Sequence, residues 1–122
     1  MLQKETNNVL ALNNLAWLYY QEKDARAVNT AELAYKLKPN NAAVADTLGW
    51  ILLDQGKISR AVEIFKKAVA LAPDNPEIGY HYAVALAKAG DKARARQQLE
   101  QLLASNKSFG QRDAAKALLK QM

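Results

Sequence analysis

The residue types that perform acid–base or nucleophilic chemistry are few in this sequence, and they lie far apart. His81 is the single histidine among 122 residues, and there is no cysteine. A nucleophile–base pair or a zinc site needs at least two such side chains close together, so we expect neither. Asp46 and Asp54 lie more than two turns apart on one predicted helix, too far for a cooperating acid pair. The sequence therefore predicts a protein that is not an enzyme and uses no cofactor and no metal.

The remaining candidates for chemistry are also weak. His81 stands between two tyrosines on a predicted helix. It could form a hydrogen bond at a binding surface, or it could be a partly exposed side chain with no special role, and the sequence favours the second reading. The five glycines are isolated from one another, so no glycine-rich loop is available to hold a phosphate group.

Composition and charge fit one ordinary globular domain. Half of the residues are hydrophobic and 24% are charged, which are usual values. No apolar run approaches the ~20 residues of a membrane span, and residues 1–8 lack the apolar centre of a signal peptide. The net charge is +5, but the basic residues are scattered beside acids, so we expect solvated helix faces and no nucleic-acid partner. We expect either a cytoplasmic protein or a piece of a longer chain.

The elements that must position any functional residue are visible as a repeated helical pattern, which is clearest over 42–75. Apolar residues recur there at steps of three and four, as on one face of a helix. Gly49 and Ala61, twelve residues apart, are small where two helix backbones must approach closely. Ala83 and Ala95 repeat both the residue size and the separation. The sequence therefore predicts helical hairpins stacked in register.

Turns and caps divide the pattern further. Ala16 and Ala27 are only eleven residues apart, so the first hairpin has lost one residue in its turn. Asn8 and Asp24 are suited to cap the two helices of that hairpin, and Pro39 ends the second of them. The predicted helices lie at about 9–21, 25–37, 42–55, 58–71, 76–89, 92–104 and 109–121.

A large apolar residue, a small one, an aromatic one and a closing proline within about 34 residues resemble the tetratricopeptide repeat (TPR) family. The resemblance implies an all-α fold, a right-handed TPR superhelix of three helix-turn-helix repeats at about 9–41, 42–75 and 76–108. The last helix, at about 109–121, would be a capping helix for the end of the array. Residues 1–8 are expected to be the remnant of a preceding repeat.

In this family the first helix of each repeat lines the concave side, so the resemblance implies a groove there for a peptide or protein partner. Trp17 and Trp50 occupy equivalent places; they could anchor a peptide, or they could only pack between neighbouring first helices. The clamp of lysine, asparagine and arginine that some members use for a terminal carboxylate is not expected, because the matching positions lack basic residues. The predicted groove residues are Asn13, Trp17, Tyr20, Asp46, Trp50, Leu53, Tyr80 and Val84.

Several stretches, among them LNNLAWLYY, DTLGWIL and YHYAVALAKAGDKARAR, go beyond the general repeat pattern. They resemble the C-terminal repeats of large bacterial TPR lipoproteins of the PEP-CTERM and exopolysaccharide export systems. That resemblance implies a periplasmic or envelope-associated segment of a lipid-anchored protein, with no direct membrane insertion of this segment. The alternative to a peptide-binding scaffold is a structural module that self-assembles into a homo-oligomer through its exposed ends.

Overall fold

The computed structural model describes residues 2–104, 110 and 112–121, and every regular element within these ranges is an α-helix. In chain order the helices are α1 (Leu2–Gln21), α2 (Arg26–Leu37), α3 (Ala42–Asp54), α4 (Ile58–Leu71), α5 (Pro76–Lys88), α6 (Lys92–Ala104) and α7 (Arg112–Gln121). No helix in this part of the chain combines the length and the apolar character needed to cross a membrane.

The helices are arranged as stacked hairpins, which we call the first unit (α1 and α2), the second unit (α3 and α4) and the third unit (α5 and α6). The two helices of each unit pack on each other, and successive units meet where α2 packs on α3 and α4 on α5. α3 also contacts both α1 and α5. The first helices of the units therefore form one continuous layer, and α7 packs on α6 beyond the third unit.

The core is most tightly packed inside the second unit. Leu48, Leu52 and Phe65 are fully buried there. A Cβ atom added to Gly49 would lie 2.9 Å from the ring of Phe65, so only glycine gives this aromatic side chain its place between α3 and α4. Burial of one such side chain contributes roughly 2–3 kcal/mol to stability.

Each unit reverses direction at one residue with a left-handed backbone. Gly56 has φ +81° and Gly90 has φ +86°, whereas the corresponding residue of the first unit is Lys23, with φ +58°. A side chain in this conformation costs about 1 kcal/mol, which glycine avoids. The first turn is therefore the most strained of the three.

The structure also locates the residue that the first turn has lost. In the second unit the Ala61 N–H donates to the Lys57 carbonyl, four residues back, whereas in the first unit the Ala27 N–H donates to the Asp24 carbonyl, only three residues back. The deletion therefore lies directly after Asp24. The Asp24 carboxylate accepts the Arg26 backbone N–H at 2.9 Å, but the residue at the cap position of α2 is Ala25, which makes no side-chain cap hydrogen bond. The Arg26 side chain lowers the pKa of Asp24 to about 2.

The predicted helix positions are confirmed for α2 to α6, within one residue at each end. The expected start of the first helix is wrong, because α1 begins at Leu2 and runs through Asn8, which is not a cap. Thr6 stands where Pro39 ends the corresponding helix one unit later, so no proline interrupts α1. Residue 109, the expected start of the last helix, lies outside the described residues. The division into three repeats, with residues 1–8 as a remnant, stays a prediction.

Candidate functional site

The layer formed by α1, α3 and α5 carries a cleft of about 670 Å³. The cleft lies where the N-terminal ends of α3 and α5 pass the middle of α1. Asn41 and Asn75 precede these two helices and cap them, because the Asn41 side chain accepts the Val44 N–H and the Asn75 side chain accepts those of Glu77 and Ile78. The residues that line the cleft are Asn13, Trp17, Asn41, Ala42, Ala43, Asp46, Thr47, Asn75, Glu77, Ile78 and His81.

Three of the eight predicted groove residues, Asn13, Trp17 and Asp46, line this cleft together. Tyr20 lies one turn after Trp17 and meets its ring edge-to-face, with the ring centroids 5.6 Å apart. Tyr20 lines a second hollow, of about 420 Å³, near the first turn. The structure therefore gathers the predicted residues of α1 on one side of the layer.

The other predicted groove residues are more strongly involved in packing. Trp50 and Val84 are partly buried against the main core. Tyr80 packs against a smaller cluster that is formed by Ala83, Leu99 and Ala115. Leu53 is only 6% exposed and belongs to the core itself, so it offers little surface to a ligand. Trp50 packs against the core and Trp17 lines the cleft, and a ligand-binding role for either tryptophan stays a prediction.

His81 belongs to the wall of the cleft and is partly exposed, as expected, but it also forms a hydrogen bond; its lack of a functional role stays a prediction. Its Nδ1 lies 2.8 Å from Oδ1 of Asp46, and the two side chains are only 13% and 15% exposed. The Trp50 ring lies over the imidazole, with centroids 4.5 Å apart. This cluster joins the second and third units. Its signal in the sequence is the separation of Asp46 and His81, which is one repeat period plus one residue.

Asn13 stands out among the cleft residues because its Oδ1 is buried and accepts no hydrogen bond within the described part of the chain. A buried acceptor without a donor costs about 1–3 kcal/mol. The adjacent ionisable groups are Asp46, Glu77 and His81, and no lysine or arginine is among the lining residues. The cleft is therefore poorly suited to a ligand carboxylate, as the sequence predicted for the carboxylate clamp.

Stacked helical hairpins with a continuous layer of first helices define a helical-repeat solenoid, here a right-handed superhelix. The sequence pattern described as Tetratricopeptide repeat matches residues 52–119, which are more than half of the chain. The chain belongs to the tetratricopeptide repeat family, as the sequence predicted.

Known proteins resemble the chain in sequence and in fold. TPR repeat-containing protein PA4667 of Pseudomonas aeruginosa is 32% identical over 84 residues, which are 66% of this chain and 14% of that protein. The Yersinia enterocolitica type III secretion chaperone SycD, in complex with a peptide of the translocator YopD, has a TM-score of 0.81 at 20% identity, over 94% of this chain and 92% of that one. The first TPR of Spaghetti (RPAP3), bound to the HSP90 peptide SRMEEVD, has a TM-score of 0.82 at 16% identity, over 94% of this chain and 92% of that one. At these identities the two structures show a shared fold.

Proposed function

We propose that this chain is a non-catalytic protein–protein interaction module, which binds a peptide segment of a partner protein in the cleft between α1, α3 and α5. The observation that carries the proposal is that Asn13, Trp17 and Asp46 come together in one cleft on the layer of first helices. Trp17 offers a large apolar surface with little loss of side-chain entropy on binding. Asn13 lines the same cleft, and a side-chain amide can exchange hydrogen bonds with a peptide main chain.

The chemistry of the lining residues narrows the ligand. A peptide main chain supplies both N–H donors and carbonyl acceptors, and the amide and carboxylate groups of the cleft can pair with them. Because Asp46 and Glu77 would repel a carboxylate, we propose that an internal segment of the partner binds here rather than an acidic C-terminus. Similar proteins of the same fold support peptide binding, since SycD and RPAP3 were solved with peptides bound.

A selection from a phage-displayed random peptide library would test this function. Peptides that bind the wild-type chain are synthesised and titrated while tryptophan fluorescence is recorded. We expect the Trp17→Ala and Asn13→Ala variants to weaken binding by about tenfold or more, which is the loss of roughly 1.4 kcal/mol. Asn14→Ala is the matched control, because Asn14 is exposed on α1 and outside the cleft. Equal binding by Trp17→Ala would contradict the proposal.

The parent protein is also a matter of proposal. We propose that the chain is a segment of a larger envelope-associated TPR protein, on the basis of its resemblance to lipoproteins of the PEP-CTERM and exopolysaccharide systems. The chain spans 14% of the Pseudomonas relative, so activities of whole proteins do not transfer to it directly. Fractionation of the source cells with an antibody against this chain tests the location, and recovery only in the cytosolic fraction would exclude the envelope.

Self-assembly into a homo-oligomer is the second candidate function. The observation in its favour is that Leu10 and Leu18 are exposed on α1. Sedimentation velocity at two concentrations decides between the peptide-binding module and the self-assembling module, because assembly requires an average mass that grows with concentration. We expect a monomer at both concentrations.

A further inference from the structure

One face of α1, away from the cleft, carries apolar side chains without cover. Leu15 is 37% exposed and Leu18 is 54% exposed, and Ala11, one turn before Leu15, is exposed as well. Residues at these steps share one side of a helix. At about 100° per residue, that side is roughly opposite to the one that carries Asn13 and Trp17. We call Ala11, Leu15 and Leu18 the α1 face.

The corresponding residues of the second unit are buried. Counting 33 residues onward from the α1 face gives Val44, Leu48 and Ile51, all of which are buried in the core. In the third unit the corresponding residues are Ile78, Tyr82 and Ala85. Ile78 and Ala85 are buried, and Tyr82 is partly buried against the core. The repeated pattern thus places interface residues at these three positions, and only the first unit leaves them open.

The second unit shows what covers such a face. α3 packs on α2, and the fully buried side chains that the first unit contributes to the shared clusters are mostly small, namely Ala16, Ala27 and Ala31 in the main cluster and Ala34, together with Val9, beside Val44. Tyr20 and Tyr35 are partly buried at the edge of the main cluster. Alanines allow two helices to approach closely, so that the larger aliphatic side chains of the next unit fill the space between them. The chemistry of the interface is therefore aliphatic side chains on one unit and an alanine-lined hairpin on the other.

At the other end of the array, the described residues do not offer a second free hairpin surface of that kind. The matching side of the third unit includes Ala95 and Leu99, which are fully buried. Leu99 forms a cluster with Ala83 and with Ala115 of α7. A second copy could therefore cover the α1 face by head-to-tail stacking only if it first displaced its own α7.

We propose that the α1 face is a docking surface for an alanine-lined helical hairpin of the same repeat type, supplied from outside these 122 residues. The interface between the first and second units would continue across the α1 face with the same chemistry. This site is independent of the cleft and of any peptide bound there, because the two surfaces lie on different sides of α1.

The test is a graft in which a second copy of residues 9–41 replaces residues 1–8. The copy ends in Asn40 and Asn41, so it joins Val9 as the natural first unit joins Ala42. Its alanines then meet the α1 face as the natural ones meet Val44, Leu48 and Ile51. We expect the graft to melt at a higher temperature than the parent chain. A graft that melts below the parent chain would overturn the proposal.

A pair of matched substitutions separates docking from the general gain of a longer array. Leu18→Glu is expected to lower the melting temperature of the parent chain by less than about 2 °C, because this residue is exposed there. In the graft, Leu18→Glu is made in the copy of 9–41 that directly precedes Ala42. There it is expected to lower the melting temperature by about 5 °C or more, since a charge is then buried at the new interface.

Leu33→Glu is the control, because Leu33 is similarly exposed at 47% and its equivalents are Lys67 and Gln101. It should have the same small effect in both proteins. Equal effects of Leu18→Glu in the parent and in the graft would exclude docking on this face. A parent chain that dimerises, and becomes monomeric on Leu18→Glu, would show that the occupant is a second copy and would also overturn the proposal.

Discussion

The first and second units have the same design, but equivalent residues experience different surroundings. Leu15 and Leu48 occupy the same place, yet the first is 37% exposed and the second is fully buried. Among the described residues, the second unit packs on a unit at each side, whereas the first unit packs on the second unit alone. In a repeat array, the contribution of a residue to stability is therefore set by the adjacent unit as much as by its own.

The two units also fill their interiors differently. In the second unit Gly49 of α3 faces the Phe65 ring of α4. The equivalent residues of the first unit are Ala16 and Ala31, which are both buried in the main cluster. In the third unit Ala83 is paired with Leu99. Between the second and third units, the smaller residue on the first helix accompanies the larger one on its partner, so that the two pairs fill a similar combined volume, as close packing requires. The Ala16 and Ala31 pair of the first unit is smaller than both.

The largest expected difference between the two units is in the cost of truncating a leucine. Leu48→Ala should lower the free energy of unfolding by about 3 kcal/mol, because it leaves a cavity in a packed core. Leu15→Ala should lower it by roughly 1 kcal/mol or less, since its side chain is only partly buried. Urea denaturation of both variants measures the difference. Similar losses would mean that the first unit is as well covered as the second.

The paired volumes predict a strong coupling inside the second unit. Gly49→Ala should cost about 2 kcal/mol, because the new Cβ would lie 2.9 Å from the Phe65 ring. Adding Phe65→Leu reproduces the combination found in the third unit and should recover about half of that loss. A double-mutant cycle on unfolding free energies measures the coupling. Additive effects of the two substitutions would refute the idea of a shared volume.

Helix starts provide a smaller contrast between the units. Asn41→Ala removes the oxygen that accepts the Val44 N–H and should cost about 1 kcal/mol. Asn8 is the equivalent residue of the first unit, but it lies inside α1, where alanine is a better helix former by about 0.5 kcal/mol. Asn8→Ala should therefore be neutral or slightly stabilising. Thermal unfolding followed by circular dichroism compares the two, and an equal loss would place a cap at Asn8.

The turns are expected to give effects as small as those of the helix starts, with opposite signs in the two units. Lys23→Gly should stabilise the first unit by about 0.5 kcal/mol, because it removes the side chain from a left-handed backbone. Gly56→Ala should destabilise the second unit by about 1 kcal/mol for the same reason, as no other atom lies within 4 Å of the added Cβ. Guanidinium denaturation resolves both shifts. A lower free energy of unfolding for Lys23→Gly would show that the lysine side chain stabilises the fold by more than the backbone strain costs.

The sequence predicted the helices well because their signals are local. Apolar periodicity, the prolines and the glycines at turns lie within a few residues of the structure that they determine. The start of α1 was missed because Asn8 is a good cap by type, and nothing local shows that the helix continues through it. The site was predicted only in part. Asn13, Trp17 and Asp46 share the repeat register, but the exclusion of Leu53 and the recruitment of His81 depend on how neighbouring units pack.

The hydrogen bond between His81 and Asp46 joins two units and at the same time forms part of the cleft wall. A ligand of the proposed kind that forms a hydrogen bond with this oxygen of Asp46 would compete with His81 for it, and so weaken a side-chain contact between the second and third units. Linkage is reciprocal. If the ligand changes the equilibrium between a straighter and a more bent array, then bending changes the ligand affinity by the same factor. We therefore expect the bending of the array to depend on whether the cleft is occupied.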